Sequence, residues 1–451
     1  MVENILKSLL ADPAIGEEQA RKIINSQDHF EVARLLHLFT VEEKVNFFQY
    51  LTDEIKRQEL LYETDVESRK EIVEALGYEY MAPLLEEMPK DEAADILKEH
   101  EPEIREKILG RMVPDDAKTL KELIRYEEET AGGMMAPNFN KVLGDELAGD
   151  ILMRMIKETP GNNGTDFFVV DSANHLTGYF NLRDLLNVQP NAQASNIIHE
   201  ETHKVLLDDT CEKIANLMDH EHLTTIPVVD ENNTLHGIVT FDDVFRTLKK
   251  SASHEIYTMV GTDRLDPFAQ KTMRKISARA PWLATTFVGG ILSAFILRYY
   301  HLTLEEFTAV LLFIPFVLGL AGNVGIQGAT VIVRGLATGD IQTDNLRAVI
   351  RSEIKVGIAN GLIFGLACGL PLTLIANSLL ETTPLLGLTV GLGIFLAVSM
   401  ACIFGSLTPW LFMRMNIDPA ISAGPVVTVV NDVLGLLIYL STTALLFSTF
   451  E

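Results

Sequence analysis

Residues 418–441 read DPAISAGPVVTVVNDVLGLLIYLS, and one residue among them, Asp432, decides the class of the chain. The run around it is apolar enough to enter a bilayer, where a carboxylate costs on the order of 2.5–3.5 kcal/mol. A charge retained at that cost faces a bundle interior or an aqueous path, and a negative charge in such a path attracts cations. Gly424, Thr428 and Asp432 recur every four residues, which places them along one helix face as room, a hydroxyl and a charge in succession. Such a face gives a cation room beside a carboxylate.

Moving outward, the apolar stretches are Pro281–Leu297, Phe307–Val333, Val356–Leu380, Thr383–Met413 and Pro419–Phe450. Each approaches or exceeds the ~20 residues a helix needs to cross the hydrocarbon core. Lys271, Arg274, Lys275 and Arg279 precede the first stretch, Arg334, Arg347, Arg351 and Lys355 separate the second from the third, and Arg414 separates the fourth from the fifth. The other ends carry Arg298 beside Glu305, Glu306 and Glu381. The positive-inside rule then predicts a multi-pass protein of the cell membrane, with its N-terminus cytoplasmic and its C-terminus outside. Gly361, Gly365 and Gly369 strip one helix face of bulk and predict close packing against a neighbouring helix.

The chain has 451 residues and a net charge of -25. Its first 280 residues hold 53 acidic and 31 basic side chains, a net of -22. That balance disfavours nucleic acid and anionic lipid as partners of the soluble half. Cys211, Cys368 and Cys402 are isolated, so neither a disulfide framework nor a zinc site is indicated. Met1–Leu10 includes Glu3 and Lys7 and has no apolar core, so no signal peptide is expected. No GxxxxGK[ST] phosphate loop is present, and nothing points to a pump or an enzyme.

Residues 1–130 show helical spacing of apolar positions among dense charges, an acidic all-α domain. A different pattern then repeats. Val169, Val170, Asp171, Asn174, Leu176, Gly178 and Asp184 recur 59 residues later, without a gap, as Val228, Val229, Asp230, Asn233, Leu235, Gly237 and Asp243. Each copy reads as strand, Asp-x-x-Asn turn, strand and helix, one α/β unit over 131–199 and a second over 200–250. The segments FFVVDSANHLTGYFNLRDLL and TIPVVDENNTLHGIVTFDDVF resemble cystathionine-β-synthase (CBS) domains. CBS pairs commonly bind adenosine nucleotides through a hydroxyl residue and an aspartate three positions on. The resemblance therefore implies a site for ATP at Thr240, Asp243 and Asp184, with Asn181 in the first copy departing from the hydroxyl. Residues 251–279 read as a charged connector helix ending in the basic cluster, and 280–451 as the membrane domain.

This order, together with YEEETAGGMMAPNF at 126–139, IPFVLGLAGNVGIQGATVIVRGLATGDI at 314–341 and the opening segment, resembles the MgtE magnesium channel family over essentially the whole chain. The resemblance implies a multidomain fold: an all-α N-terminal domain, an α/β CBS pair, a connector (plug) helix and an all-α polytopic membrane domain of five spans. It also implies a homodimer in the lipid bilayer, no nucleic-acid partner and Mg²⁺ as the ion moved. Asp432, Thr428, Gly424, Gly322 and Asn323 are expected at the pore. Glu59, Asp91, Asp95, Asp243 and Glu255 are expected to share cytoplasmic Mg²⁺ and so close it. Cys211, His222, Arg246, Ser251 and His254 stand where relatives have carboxylates, so weaker closure is expected. Arg246, one helical turn from Asp243, is placed to pair with a carboxylate in place of a metal. Ile326 stands where relatives often carry a polar residue.

Two other functions fit the same sequence. In a Na⁺- or H⁺-coupled divalent-cation transporter, currents would not reverse at the Mg²⁺ equilibrium potential irrespective of Na⁺ and pH. A non-transporting CBS-based membrane sensor would not rescue growth of a Mg²⁺-uptake-deficient strain, whereas a transporter would, with the rescue lost in Asp432→Ala; rescue by both would remove Asp432 from the mechanism.

Overall fold

The computed structural model describes residues 6, 17–157, 165–199, 203–262, 272–301, 308–338, 340–341, 344–379 and 384–450. Glu3, Lys7, Lys271, Glu305, Glu306, Phe307, Leu380, Glu381 and Thr383, named above, lie outside them. The chain divides into two units, Met1–Lys250 and Ser251–Glu451.

Within the first unit, short helices build the N-terminal domain: α1 (Glu17–Asn25), α2 (His29–Leu35), α3 (Val41–Tyr50), α4 (Glu54–Glu63), α5 (Val66–Leu76), α6 (Tyr78–Glu87), α7 (Lys90–Lys98), α8 (Pro102–Leu109) and α9 (Pro114–Leu123). Local chemistry sets their starts. Asp28, Asp53 and Asp65 accept hydrogen bonds from first-turn N–H groups, and Thr40 with Glu43 forms a reciprocal capping box; each cap contributes about 1 kcal/mol. Pro102 and Pro114 open α8 and α9, where a missing N–H is harmless. Phe47, Phe48, Leu60, Leu61 and Ile72 are fully buried, in one core that continues into Val228, Val239 and Val244 of the second repeat. Burying each large apolar side chain contributes roughly 1.5–3 kcal/mol.

Next come α10 (Ala131–Met134) and the elements of the first repeat: β1 (Lys141–Leu143), α11 (Ala148–Lys157), β2 (Asp166–Val170), β3 (Leu176–Asn181) and α12 (Leu182–Leu186). The second repeat contributes β4 (Val205–Leu206), α13 (Cys211–Glu221), β5 (Thr225–Val229), β6 (Leu235–Thr240) and α14 (Phe241–Met259). Two matching three-stranded sheets result, β1-β2-β3 and β4-β5-β6, each with one parallel and one antiparallel pair. The stretch expected to open the first CBS unit is hydrogen-bonded to the second: Gly132 N donates to Leu207 O at 2.9 Å and Ala136 N to Ile238 O at 2.8 Å. The Gly-Gly pair permits this course, because a Cβ on Gly133 would lie 1.9 Å from Glu127 O.

The repeated Asp-x-x-Asn turns join the two copies. Asn174 and Asn233 adopt left-handed backbone at φ 68° and 65°. Asn174 Nδ2 donates to Leu235 O, and Asn233 Nδ2 to Leu176 O, each at 2.8 Å. The identity spaced by 59 residues is thus a reciprocal clasp between sheets.

The second unit contains α15 (Thr272–His301), α16 (Thr308–Leu311), α17 (Ile314–Ala337), α18 (Leu346–Leu379), α19 (Leu385–Arg414) and α20 (Pro425–Phe450). Among the described residues, five segments are long and apolar enough to cross a membrane: Lys275–Tyr300, Ala309–Ala337, Leu346–Ile375, Leu385–Arg414 and Pro425–Thr449. The third helix begins ten residues before the apolar stretch, since Arg347, Arg351 and Lys355 extend a helix well while marking its exit from hydrocarbon. The fifth begins later than read, because Pro419–Ala423 forms a 3-10 turn capped by Asp418. The connector is not one helix over 251–279: α14 runs on from the second repeat to Met259 and stops beside Gly261, at φ 72°. The Gly361/Gly365/Gly369 face packs as its spacing predicts, with added Cβ atoms falling 2.6–2.8 Å from α19 carbonyl oxygens of Phe395, Gly391 and Gly387.

Replacing Asn233 by Ala would remove the donor to the Leu176 carbonyl and leave at positive φ a residue that lacks asparagine's tolerance of it, an expected cost of about 2 kcal/mol. Asn233→Gly, which relieves the backbone, should cost less. The cytosolic thermal transition of the purified chain checks this, and an unchanged midpoint for Asn233→Ala would discard the clasp as a stabilising element.

Candidate functional site

Asp432 lies in the second turn of α20, half-buried, facing α17. A Cβ added to Gly322 would sit 3.7 Å from Asp432 Oδ1, so glycine leaves open the space beside the carboxylate. Asn323 and Gln327 on α17 are exposed within a helix of membrane length. Polar side chains at that depth face water or protein and not lipid. Thr428, one turn before Asp432, donates its hydroxyl to Gly424 O at 3.3 Å.

Gly424 departs from the expected stripe. It sits outside α20, ending the 3-10 turn with φ -103° and ψ -148°, so the shared helix face is that of Thr428 and Asp432. Gly424 is buried beneath the last turn of α14: its added Cβ would lie 3.0 Å from Met259 O and 3.1 Å from Thr258 O. Met259 packs there on Ala329, Val333, Ala420 and Ala423.

Sequence reasoning missed Asn431. It is 1% exposed, neither amide atom has a hydrogen-bond partner, and Gly325 admits it, since a Cβ there would collide with Asn431 Nδ2 at 1.9 Å. Its signal was a second polar residue inside the same apolar run.

In the first unit, the structure brings Asp91, Asp95 and Asp243 into one electrostatic neighbourhood, joined by Glu92, Tyr62 and Arg246. Asp91 Oδ1 is buried without a partner. Burial, with the Asp243 charge adding, pushes Asp91 up to about 7. Burial likewise raises Glu92 to about 7, against the Arg246 charge. Asp95 is raised by burial against Lys250 and Lys98, and takes a hydrogen bond from Tyr62 Oη at 3.3 Å. Asp243 is raised by burial against a hydrogen bond from Thr240. Arg246 supplies the opposing charge: its Nη1 is 3.8 Å from Glu92 Oε1, and its guanidinium lies 4.8 Å from the Tyr62 ring centre. Among the described residues no three acids, histidines or cysteines are arranged to hold a metal ion. Two carboxylates such as Asp91 and Asp243 still suit an ion that keeps most of its waters.

The other sequence candidates lie elsewhere. Glu59 is drawn to His29, whose Nε2 is 2.7 Å away. Glu255 lies half-buried further along α14. Cys211 is a buried thiol pushed up to about 12, chiefly by desolvation. Thr240 Oγ1 donates to Asp243 Oδ2 at 2.5 Å. Asp184 accepts from Asn181 N and lies 3.0 Å from His199 Nε2; desolvation pushes it up, but these hydrogen bonds win and hold it below its ordinary value. The cavity between the CBS copies is lined instead by Asp166, Phe168, Tyr179, Asn181, His203 and His222, and encloses about 180 Å³. That is less than the ~300 Å³ at which small-molecule pockets begin, so a nucleotide would require it to widen.

A family profile described as divalent cation transporter matches residues 314–442. A profile for the MgtE intracellular N domain matches 27–129, and a CBS domain profile matches 194–250. The magnesium transporter MgtE of Thermus thermophilus is 32% identical over 353 residues, covering 78% of this chain and 77% of the relative. That of Enterococcus faecalis is 30% identical over 327 residues, covering 72% and 71%. Among solved structures, the cytosolic domain of the Mg²⁺ channel MgtE in complex with ATP aligns at TM-score 0.51 and 26% identity, covering 54% of this chain and 99% of that one.

Arg246→Gln would leave the carboxylates of α7 and α14 without their guanidinium. Removing one partner of a buried charge set is destabilising, so amide exchange over residues 90–98 should quicken about tenfold in chelator and slow again when a divalent cation is added. Unchanged exchange would show that Arg246 does not hold this junction.

Proposed function

The chain belongs to the MgtE family of divalent cation transporters, and on that premise we propose that it moves Mg²⁺ across the cell membrane down its electrochemical gradient. Asp432 carries this reading: a carboxylate within a membrane-length helix, beside the open space at Gly322 and the exposed Asn323. A hydrated divalent ion at that point can hydrogen-bond through its own waters to Asp432 and the Thr428 hydroxyl without being stripped. The membrane potential contributes about 2.3 kcal/mol per charge per 100 mV, twice that for a divalent ion, so no covalent energy source is needed.

The protein acts as a homodimer. One chain offers a single Asp432 with polar Asn323 and Gln327 exposed at membrane depth, and a second copy facing them completes an aqueous path lined by two carboxylates. The basic residues at one set of helix ends place the N-terminal half in the cytoplasm and the C-terminus outside. The N-terminal domain and second CBS unit act as one body, because they share a core.

Cytoplasmic Mg²⁺ acts on Asp91, Asp95 and Asp243, with Glu59 and Glu255 as outlying members. Closure in this chain is weaker than in relatives, because Arg246 already offsets part of the repulsion that an ion would relieve. ATP at the CBS pair is an auxiliary ligand that must displace His199 from Asp184.

Asp432→Asn keeps the size and removes the charge. In proteoliposomes with an inside-negative potential, Mg²⁺ uptake should fall at least ~30-fold, equivalent to about 2 kcal/mol of lost stabilisation. Wild-type rates from the Asn variant would remove Asp432 from the ion path.

A further inference from the structure

The membrane unit carries a group of cations that the ion path does not use. Arg347, Arg351 and Lys355 follow one another every fourth residue on α18, and all three are exposed. They form a single stripe about 12 Å long. On α19, the exposed Arg414 lies over the ring of Trp410, 4.5 Å from its centre. Trp410 and Met413 in turn pack with Ile350 and Ile354, which alternate with the cations on α18. Three arginines, a lysine and a tryptophan therefore lie around one apolar cluster to which α18 and α19 both contribute.

None of these four cations forms an ion pair with another described residue. The acids nearby are few. Asp344 is exposed one turn before Arg347, and Glu353 is half-buried and roughly opposite Arg351 around the helix. Immediately beyond the stripe the same helix exposes Val356, Ile358, Leu362 and Ile363, and α19 exposes Leu407 and Leu411. The surface thus passes from cations to hydrocarbon within about two turns, with a tryptophan at the change, as at a headgroup level.

We propose that this surface is a binding site for an anionic phospholipid of the leaflet it faces. The phosphodiester is gripped by the guanidiniums of Arg347, Arg351 and Arg414, and an acyl chain lies against the exposed side chains below. Arginine forks match phosphate oxygens geometrically, and basic pockets between transmembrane helices on the cytoplasmic side suit such headgroups. A topological signal requires only positive charge near the helix ends. It does not require one helix face, nor a common aromatic cluster with a second helix. Ile332, in the last turns of α17, and Ile341, beyond its end, belong to the same cluster, so the bound lipid braces the helix that bears Gly322. The site stands whether or not the ion carried is Mg²⁺.

The test uses the full chain in nanodiscs, with lipid retention read by native mass spectrometry and stability by thermal midpoint. Phosphatidylglycerol should be retained and should raise the midpoint over phosphatidylcholine, whereas millimolar inorganic phosphate should do neither. The triple variant Arg347→Gln, Arg351→Gln, Arg414→Gln should keep the phosphatidylcholine midpoint and retain phosphatidylglycerol on the order of 100-fold less well, three cations each contributing roughly fivefold. A charge-matched control, Lys22→Gln, Lys121→Gln, Lys213→Gln, should behave as wild type. Equal retention of the two lipids, undiminished retention by the triple variant, or an equal loss in the control would each overturn the site. Stabilisation by phosphate alone would overturn the lipid assignment.

Discussion

Close approach of helix backbones is the constraint on which the membrane half depends. Lipid offers these helices no hydrophobic gain for associating, so contact between them rests on packing. Where α17, α19 and α20 meet, glycines bring backbone against its neighbours: a Cβ on Gly405 would strike Gly325 O at 2.2 Å, and one on Gly325 would strike Asn431. That junction fixes the register between α17 and α20, and the register sets Asp432 against Gly322 one turn away. The carboxylate is useful because its neighbours are small. Asn431 is held there with both amide atoms unpartnered, at a cost that a purely structural contact would not carry.

The cytosolic half solves a different problem, that of keeping several acids together. Asp91, Glu92, Asp95 and Asp243 are raised toward neutrality by burial, so docking α7 on α14 removes them from water and sets them against one another. A guanidinium on α14, resting on Tyr62, offsets part of that repulsion. It is always charged and always present, whereas a metal ion's occupancy follows its concentration. If these acids report that concentration as proposed, each one paired internally is one fewer available to do so, and a resident cation trades sensitivity for permanent docking.

Much of this was legible in the sequence, and the limits have physical causes. Hydropathy and the four-residue spacing of glycines are local, so the five spans and the α18–α19 contact could be read directly. The repeat at 59 residues marked the two sheets, and the Asn at each turn was visible, though not that it reaches across to the other copy. Helix ends were less legible, because hydropathy reports depth and not hydrogen bonding: α18 starts in its basic stripe, and α14 passes through the expected domain boundary without a break. That Arg246 would meet a carboxylate could be read, but not that Glu92 and Tyr62 would be its partners, since they lie far away in sequence and meet it through a docking that no local pattern encodes.

Gly424 shows how the fold can give a residue surroundings that its spacing does not suggest. Spacing placed it on the Asp432 face, as room for an ion. In the fold it gives room to protein: the carbonyls of Thr258 and Met259 close over it where any side chain would hold them off. A helix C-terminus carries partial negative charge on such carbonyls, so the last turn of α14 meets the start of α20 with oxygens foremost. The same contact is therefore steric and electrostatic. A side chain at 424 would push these carbonyls back by a few tenths of an ångström, and their oxygens would stabilise a hydrated cation arriving at that end of the helix.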